Sequence, residues 1–278
     1  YDSNIRGIFL KIAITGASGF LGTYVMKHLD DSGKKATYSY RDKLKSNIFK
    51  NHKGVLLNLD EYHGDELSKL GSPDVVLHLA WGGLPNYSSD KHLKNELPKQ
   101  IKFLEGLINQ GLKSLVVTGT CFEYGMQEGE LTSSSPTRPS NPYGCAKDLL
   151  RQKLQDLQVH KDFNLTWTRL FYMYGIGQSK KSLYSLLLNA VKKGDKIFKM
   201  SSGEQVRDFM HVEEVAKRLI DISLNNPNSG VINICSGNPV KIKDLVNYWI
   251  KENKWSIKPK LGVYQIPEYE PFEFWGGK

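Results

Sequence analysis

Tyr143 and Lys147 stand four residues apart in the segment Asn141-Pro142-Tyr143-Gly144-Cys145-Ala146-Lys147. On a helix, residues at that spacing share a face. A free phenol has a pKa near about 10 and exchanges protons poorly at neutral pH. An ammonium beside it stabilises the phenolate and lowers that pKa. The pair could therefore pass a proton to or from a substrate hydroxyl or carbonyl. Upstream, the apolar run ending in Val117-Thr118-Gly119-Thr120 closes on a second hydroxyl. The C-terminal end of a strand is where doubly wound folds bind their ligands. Thr120 could hydrogen-bond the reacting oxygen there and orient it toward Tyr143.

A third motif could hold a cofactor. Thr15-Gly16-Ala17-Ser18-Gly19-Phe20-Leu21-Gly22 joins the first expected strand to the first expected helix. Gly16 permits a tight turn, Gly19 lets backbone approach a pyrophosphate, and Gly22 lets the helix pack close to the sheet. The helix N-terminus then offers unpaired N–H groups and partial positive charge to phosphates. Such a glycine triplet is informative only between a strand and a helix of the first βαβ unit, which is its setting here. At the end of the second strand an acid would suit the ribose hydroxyls of NAD and a base the 2′-phosphate of NADP. Arg41 sits at that end with Lys43 close behind, which favours NADP, and Asp42 keeps NAD possible.

The elements that must carry these residues follow from apolar periodicity. Strands are expected at 11–15, 35–40, 55–59, 74–80, 115–118, 165–171 and 231–234. Helices are expected at 20–29, around Leu93 to Ile108, around Leu149 to Leu157, and at 183–192, 212–224 and 242–250. Pro98 should kink the second of these helices or delay its start. Near-continuous apolar strands alternating with helices imply an α/β fold, a doubly wound parallel sheet (Rossmann) covered on both faces. The expected division is 10–170 as a dinucleotide-binding domain and 171–278 as mostly a smaller C-terminal substrate-binding lobe, some of whose segments return to the sheet. The tail from Pro259 shows no clear period.

In combination and order, five features resemble the extended short-chain dehydrogenase/reductase family. They are the glycine turn, His78-Leu79-Ala80, Thr120 to Gly125, Tyr143/Lys147 and Arg207-Asp208-Phe209-Met210-His211-Val212. The resemblance implies an enzyme in which Thr120, Tyr143 and Lys147 are catalytic and Tyr143 and Lys147 also meet the cofactor. It implies cofactor contacts at Gly16, Ser18, Gly19, Phe20, Leu21, Gly22, Arg41, Leu59, Leu79 and Ala80. It also places Arg207 on the diphosphate of a nucleotide sugar, since guanidinium suits phosphate geometry; the other reading of Arg207 is an ion pair with a neighbouring acid. Trp81 and Glu123 are expected to face the sugar pocket, with Tyr87, Tyr172 and Lys181 as further pocket residues. A homodimer through helices including the Tyr143–Lys147 helix is implied as well.

Departures from the family's branches narrow the chemistry. Dehydratases of the family carry Asp-Glu directly after the catalytic threonine, where this chain has Cys121-Phe122. Enzymes that epimerise at two carbons use a cysteine and a histidine. Here no histidine lies between Lys161 and Met210, and Cys121 comes one residue early. What stays in front is NAD(P)H-dependent reduction of the 4-keto group of a nucleotide-linked 4-keto-6-deoxyhexose, with a dTDP-sugar favoured. The alternatives are a 4-epimerase with tightly bound NAD acting on a UDP-sugar, and a non-catalytic dinucleotide sensor, which would be expected to lack the tyrosine–lysine pair. The net charge of +9 comes without a dense basic run or a nucleic-acid-binding motif, so a basic cleft for an anionic small molecule suits it and no nucleic-acid partner is expected. No apolar run approaches a membrane span, and no secretory signal is read in the first ten residues. The cysteines, odd in number and without metal-ligand spacing, fit a reducing, cytoplasmic compartment and no metal.

Overall fold

A computed structural model describes residues 10–266 and 270–277. In chain order the elements of the first half are β1 (Ile12–Thr15), α1 (Phe20–Asp31), β2 (Ala36–Tyr40), β3 (Lys53–Leu56), α2 (Glu66–Lys69), β4 (Val75–His78), α3 (Leu97–Asn109), β5 (Ser114–Thr120), β6 (Gly129–Leu131) and α4 (Pro142–Gln158). The second half adds β7 (Asn164–Leu170), β8 (Tyr172–Tyr174), α5 (Leu183–Lys192), β9 (Ile197–Lys199), β10 (Val206–His211), α6 (Val212–Asn225), β11 (Gly230–Ile234), β12 (Pro239–Lys241), α7 (Ile242–Glu252), β13 (Lys258–Lys260) and β14 (Phe274–Gly276).

Seven strands form one sheet in the order β11-β7-β5-β4-β1-β2-β3, every pairing parallel. The order reverses between β1 and β4, which opens a crevice at the carboxyl ends of those strands. Every residue of β1, β4 and β5 is buried, because helices cover both sheet faces. On one face Val25, Met26 and Leu29 of α1 meet Val215, Leu219 and Ile220 of α6. On the other, Phe103, Leu104 and Leu107 of α3 meet Leu150 and Leu154 of α4. Each such buried aliphatic or aromatic side chain contributes about 1.5–3 kcal/mol, and the summed effect holds the strand ends in register.

The remaining elements build a smaller lobe over the carboxyl edge. β8, β10 and β12 form a three-stranded sheet, and Leu187, Phe198, Met200, Leu245, Val246, Trp249 and Ile257 give the lobe a core of its own. β14 pairs with β6 and brings the chain's last described residues back beside the end of β5. Among the described residues, no helix is long and apolar enough to cross a membrane.

Several elements differ from the sequence reading, and α2, β6, β8, β9, β10 and β12 have no counterpart in it. The third strand is Lys53–Leu56, earlier than 55–59, because Leu57 turns into the core and Leu59 leaves the sheet to line the crevice. The helix expected around Leu93 to Ile108 opens as a π-helical turn, His92–Glu96, and becomes regular at Leu97 with Pro98 in its first turn. The wide turn ahead of it interrupts the regular i→i−4 ladder, which lets a residue without an N–H sit there. The tail holds β13 and β14, which at three residues each are too short to show a period.

Candidate active site

Two adjoining hollows lie along the carboxyl edge and share Gly16, Gly19, Leu79 and Trp81. The smaller, about 300 Å³, is lined among others by Gly16, Ser18, Gly19, Arg41, Lys45, Leu59, Leu79 and Ala80. The larger, about 1290 Å³, is lined by Phe20, Leu21 and Gly22 on one side and by Thr120, Tyr143 and Lys147 on another. Trp81, Tyr87, Tyr172 and Lys181 also line it.

The glycine turn fits a dinucleotide pyrophosphate. Gly16 has φ +74°, and a Cβ built on it would lie 2.7 Å from the Ala80 backbone nitrogen, so no other residue leaves this turn undistorted. Gly19 is the N-cap of α1 and provides no side chain to satisfy the first-turn amides, and no acid occupies that turn. Those amides remain free for an anion. At the ribose end Asp42 is otherwise engaged: its carboxylate accepts from the Leu44 amide at 2.9 Å and caps a 3₁₀ turn, Lys43–Lys45. That turn brings Lys45, whose Nζ lies 3.5 Å from Ser18 Oγ, into the hollow beside Arg41. Lys45, and not Lys43, joins Arg41 at the ribose end; Lys99, paired with Asp60 and Glu96, also lines the hollow.

Asn141 accepts from the Gly144 amide at 2.9 Å and starts α4 with Pro142 in its first turn. This cap puts Tyr143 and Lys147 on the buried face of the helix. Lys147, 2% exposed, donates to the Thr118 carbonyl at 2.7 Å, and its Nζ lies 4.1 Å from the centre of the Trp81 ring. Burial pulls its pKa down to about 7, against the nearby carboxylates of Glu123 and Glu96. Tyr143 is ringed by Trp81, Tyr87, His92 and Phe122, with centroids 5.9, 5.5, 5.2 and 6.4 Å away. Burial pushes its phenol well up, as do Tyr87, Glu123 and Cys121, while hydrogen bonding with the Thr120 side chain acts in the opposite direction. The phenol is thus held protonated until a positive charge arrives.

His92 has no counterpart in the sequence reading. It is fully buried, its ring donates to the Asn86 carbonyl at 2.8 Å, and its Nδ1 accepts from the Trp81 indole at 3.1 Å. The π-helical turn presents it, and no sequence period announces such a turn. Among the described residues there is no cluster of His, Cys, Asp and Glu able to hold a metal.

Two expected pocket residues lie elsewhere. Glu123 does not face the sugar cleft: it is fully buried, and its carboxylate accepts from Arg169 Nε at 2.7 Å and from the Trp167 indole at 3.0 and 3.1 Å. A carboxylate in that setting is more stable facing its counter-ion than turned toward a hollow. Arg207, 5% exposed, does not reach the cleft either. It pairs with Glu270 at 3.0 Å, donates to the Val206 and Phe272 carbonyls at 2.8 and 2.9 Å, and lies on the Phe274 ring at 4.7 Å. The ion-pair reading of Arg207 describes what it does in this structure.

The profile described as the NAD dependent epimerase/dehydratase family matches residues 12–235. The chain is 32% identical, over 97% of its length and all of the relative's, to dTDP-6-deoxy-L-talose 4-dehydrogenase (NAD(+)) of Aggregatibacter actinomycetemcomitans. It is 27% identical, over 82% of its length and 75% of the relative's, to GDP-6-deoxy-D-talose 4-dehydrogenase of the same organism. Among solved structures, MoeE5 in complex with UDP-glucuronic acid and NAD superposes with a TM-score of 0.79 at 23% identity, covering 96% of this chain and 89% of that one.

Proposed function

The chain belongs to the NAD dependent epimerase/dehydratase family, and from that premise we propose that it reduces the 4-keto group of a nucleotide-linked 4-keto-6-deoxyhexose. A dTDP-sugar is the favoured substrate. One observation carries this reading: Thr120, Tyr143 and Lys147 line a single cleft that continues into the groove of the glycine turn. The 32% identical relative, named for dehydrogenation at C4 of a dTDP-linked 6-deoxyhexose, supports both the position and the sugar. A C4 dehydrogenation of this kind, run in reverse, is the reduction of a 4-keto-6-deoxyhexose, the class of reaction proposed here.

A nicotinamide dinucleotide held by Gly16, Ser18, Gly19 and the α1 amides would supply the hydride. The protein's own residues do the rest. Thr120 hydrogen-bonds the ketone oxygen, and Tyr143 delivers its phenolic proton to that oxygen as negative charge develops on it. Lys147, one N–H on the Thr118 carbonyl, keeps its remaining donors for ribose hydroxyls and stabilises the phenolate left behind. Trp81, Tyr87 and Phe122 exclude water from the exchange. Arg41 and Lys45, with Asp42 engaged in its cap, support NADP over NAD, and the NAD(+) in the relative's name keeps NAD as the alternative. The test is loss of NADPH or NADH absorbance with dTDP-4-keto-6-deoxyglucose, with the product weighed by mass spectrometry. Stoichiometric oxidation with a two-hydrogen mass gain is expected. No consumption, with dinucleotide retained on the purified protein, would favour the 4-epimerase instead.

A further inference from the structure

Beneath Thr120 lies a buried polar network that the proposed chemistry does not use. Thr120 is the N-cap of a 3₁₀ turn, Cys121–Tyr124, and Glu123 completes a capping box with it. The Thr120 amide donates to Glu123 Oε1 at 2.9 Å, and the Phe122 amide donates to Thr120 Oγ1 at 3.3 Å. Arg169 and Trp167 of β7 donate to the same carboxylate; burial raises its pKa, and the Arg169 guanidinium and these donors act in the opposite direction, favouring the ionised form. The close approach has a backbone requirement: a Cβ on Gly119 would lie 2.2 Å from the Trp167 Nε1 and 2.5 Å from Glu123 Oε1. Arg169 continues the network to the Tyr124 hydroxyl at 3.0 Å, and that hydroxyl donates to Asn233 at 2.6 Å. Asn233 in turn donates to the carbonyls of Leu131 and Gly277. The end of β5 is therefore pinned to β7, β11 and the returning C-terminal strand.

We propose that Glu123, clamped by Arg169 and Trp167, is the positioning residue of this site, fixing the backbone of Thr120 through its capping box and acting with its carboxylate on Tyr143 and Lys147. The inference rests on the reading that Thr120, Tyr143 and Lys147 are catalytic. A carboxylate there favours the ammonium of Lys147 and disfavours the phenolate of Tyr143, which are the directions in which it acts on the two groups. It opposes the pull of burial on the lysine and favours the protonated tyrosine. Removing it moves both ionisations toward lower pH. A role limited to packing would move neither.

Two variants test this, Glu123→Gln and Glu123→Gln/Arg169→Gln, the second leaving no unpaired buried guanidinium. Folding is verified by cofactor binding and thermal melting. The ionisation of Tyr143 is read without any sugar, by ultraviolet difference titration against the Tyr143→Phe protein in the presence of oxidised dinucleotide. Turnover is read on the nucleotide sugar that the wild-type protein converts. Folded variants are expected to ionise Tyr143 at lower pH by about half a unit or more and to lose about tenfold or more in kcat with little change in KM. A folded variant lacking either effect overturns the proposal, and failure of both variants to fold overturns it by assigning the pair to stability alone. If the wild-type protein turns over no sugar tested, the titration decides. Full turnover in Thr120→Ala would instead sink the catalytic reading on which the proposal rests.

Discussion

The environment of Tyr143 explains why a residue type that is a weak acid in water becomes a useful one here. Four aromatic or imidazole rings within 6.4 Å deny the phenolate solvent, so it forms only against a compensating charge. Tyr143→Phe is expected to lower turnover by about two to four orders of magnitude while dinucleotide still binds. Near-normal turnover would remove Tyr143 from the chemistry. At the other end of the groove, Arg41→Ala with Lys45→Ala is expected to weaken NADPH binding by about tenfold or more and leave NADH little changed. Equal weakening of both cofactors would show that the two cations contribute only a general attraction. Type, spacing and position marked the tyrosine, lysine and threonine as candidates, and the family resemblance supplied their roles. Glu123 and Arg207 were legible as unusual or motif residues, but not in their direction. Which way a side chain leaves a short turn or a strand edge depends on what Arg169 and Glu270 offer it across the fold.

His78 shows how a strand end doubles as part of the site's foundation. It closes β4, and its ring meets Thr15 Oγ1 of β1 and Gln100 Oε1 of α3, each at 2.8 Å. The Gln100 amide donates to the Ala80 carbonyl, so its oxygen accepts from His78 Nε2–H and the ring is neutral, taking the Thr15 proton at Nδ1. Burial, then the charge of Lys147, lowers its pKa to about 3. Below the ordinary histidine value of about 6.5 the unfolded chain binds a proton that the folded state refuses. This contribution is therefore complete above about pH 6.5 and is lost as pH falls toward 3, at about 1.4 kcal/mol per pH unit crossed. His78→Gln, which can keep one donor and one acceptor, should show a shallower fall of Tm between about pH 6 and pH 4 than the wild-type protein. Parallel Tm curves would contradict the assignment. Strands such as β4 and β5 are plain in the sequence because both sheet faces are covered and each is built on an unbroken apolar run, Val75-Val76-Leu77 and Leu115-Val116-Val117. The π-helical turn before α3 was not, since it follows from His92 reaching Trp81 and Asn86 rather than from any periodicity.

At the scale of the molecule, a parallel sheet supplies the fixed floor and a smaller lobe supplies the far wall of one long cleft. The sheet order and the helices on both its faces agree with the alternation read along the first half. The lobe was less legible because β8, β9, β12, β13 and β14 are three residues each and owe their pairing to distant partners. The most direct test of the whole account is transfer of label from the cofactor to the sugar. NADPH carrying deuterium at the transferable position of its nicotinamide would be incubated with the protein and dTDP-4-keto-6-deoxyglucose. The expected product is a dTDP-6-deoxyhexose with one deuterium at C4, formed in step with NADPH oxidation and lost in the Tyr143→Phe protein. An unlabelled product, or a sugar changed in configuration without net cofactor oxidation, would contradict it.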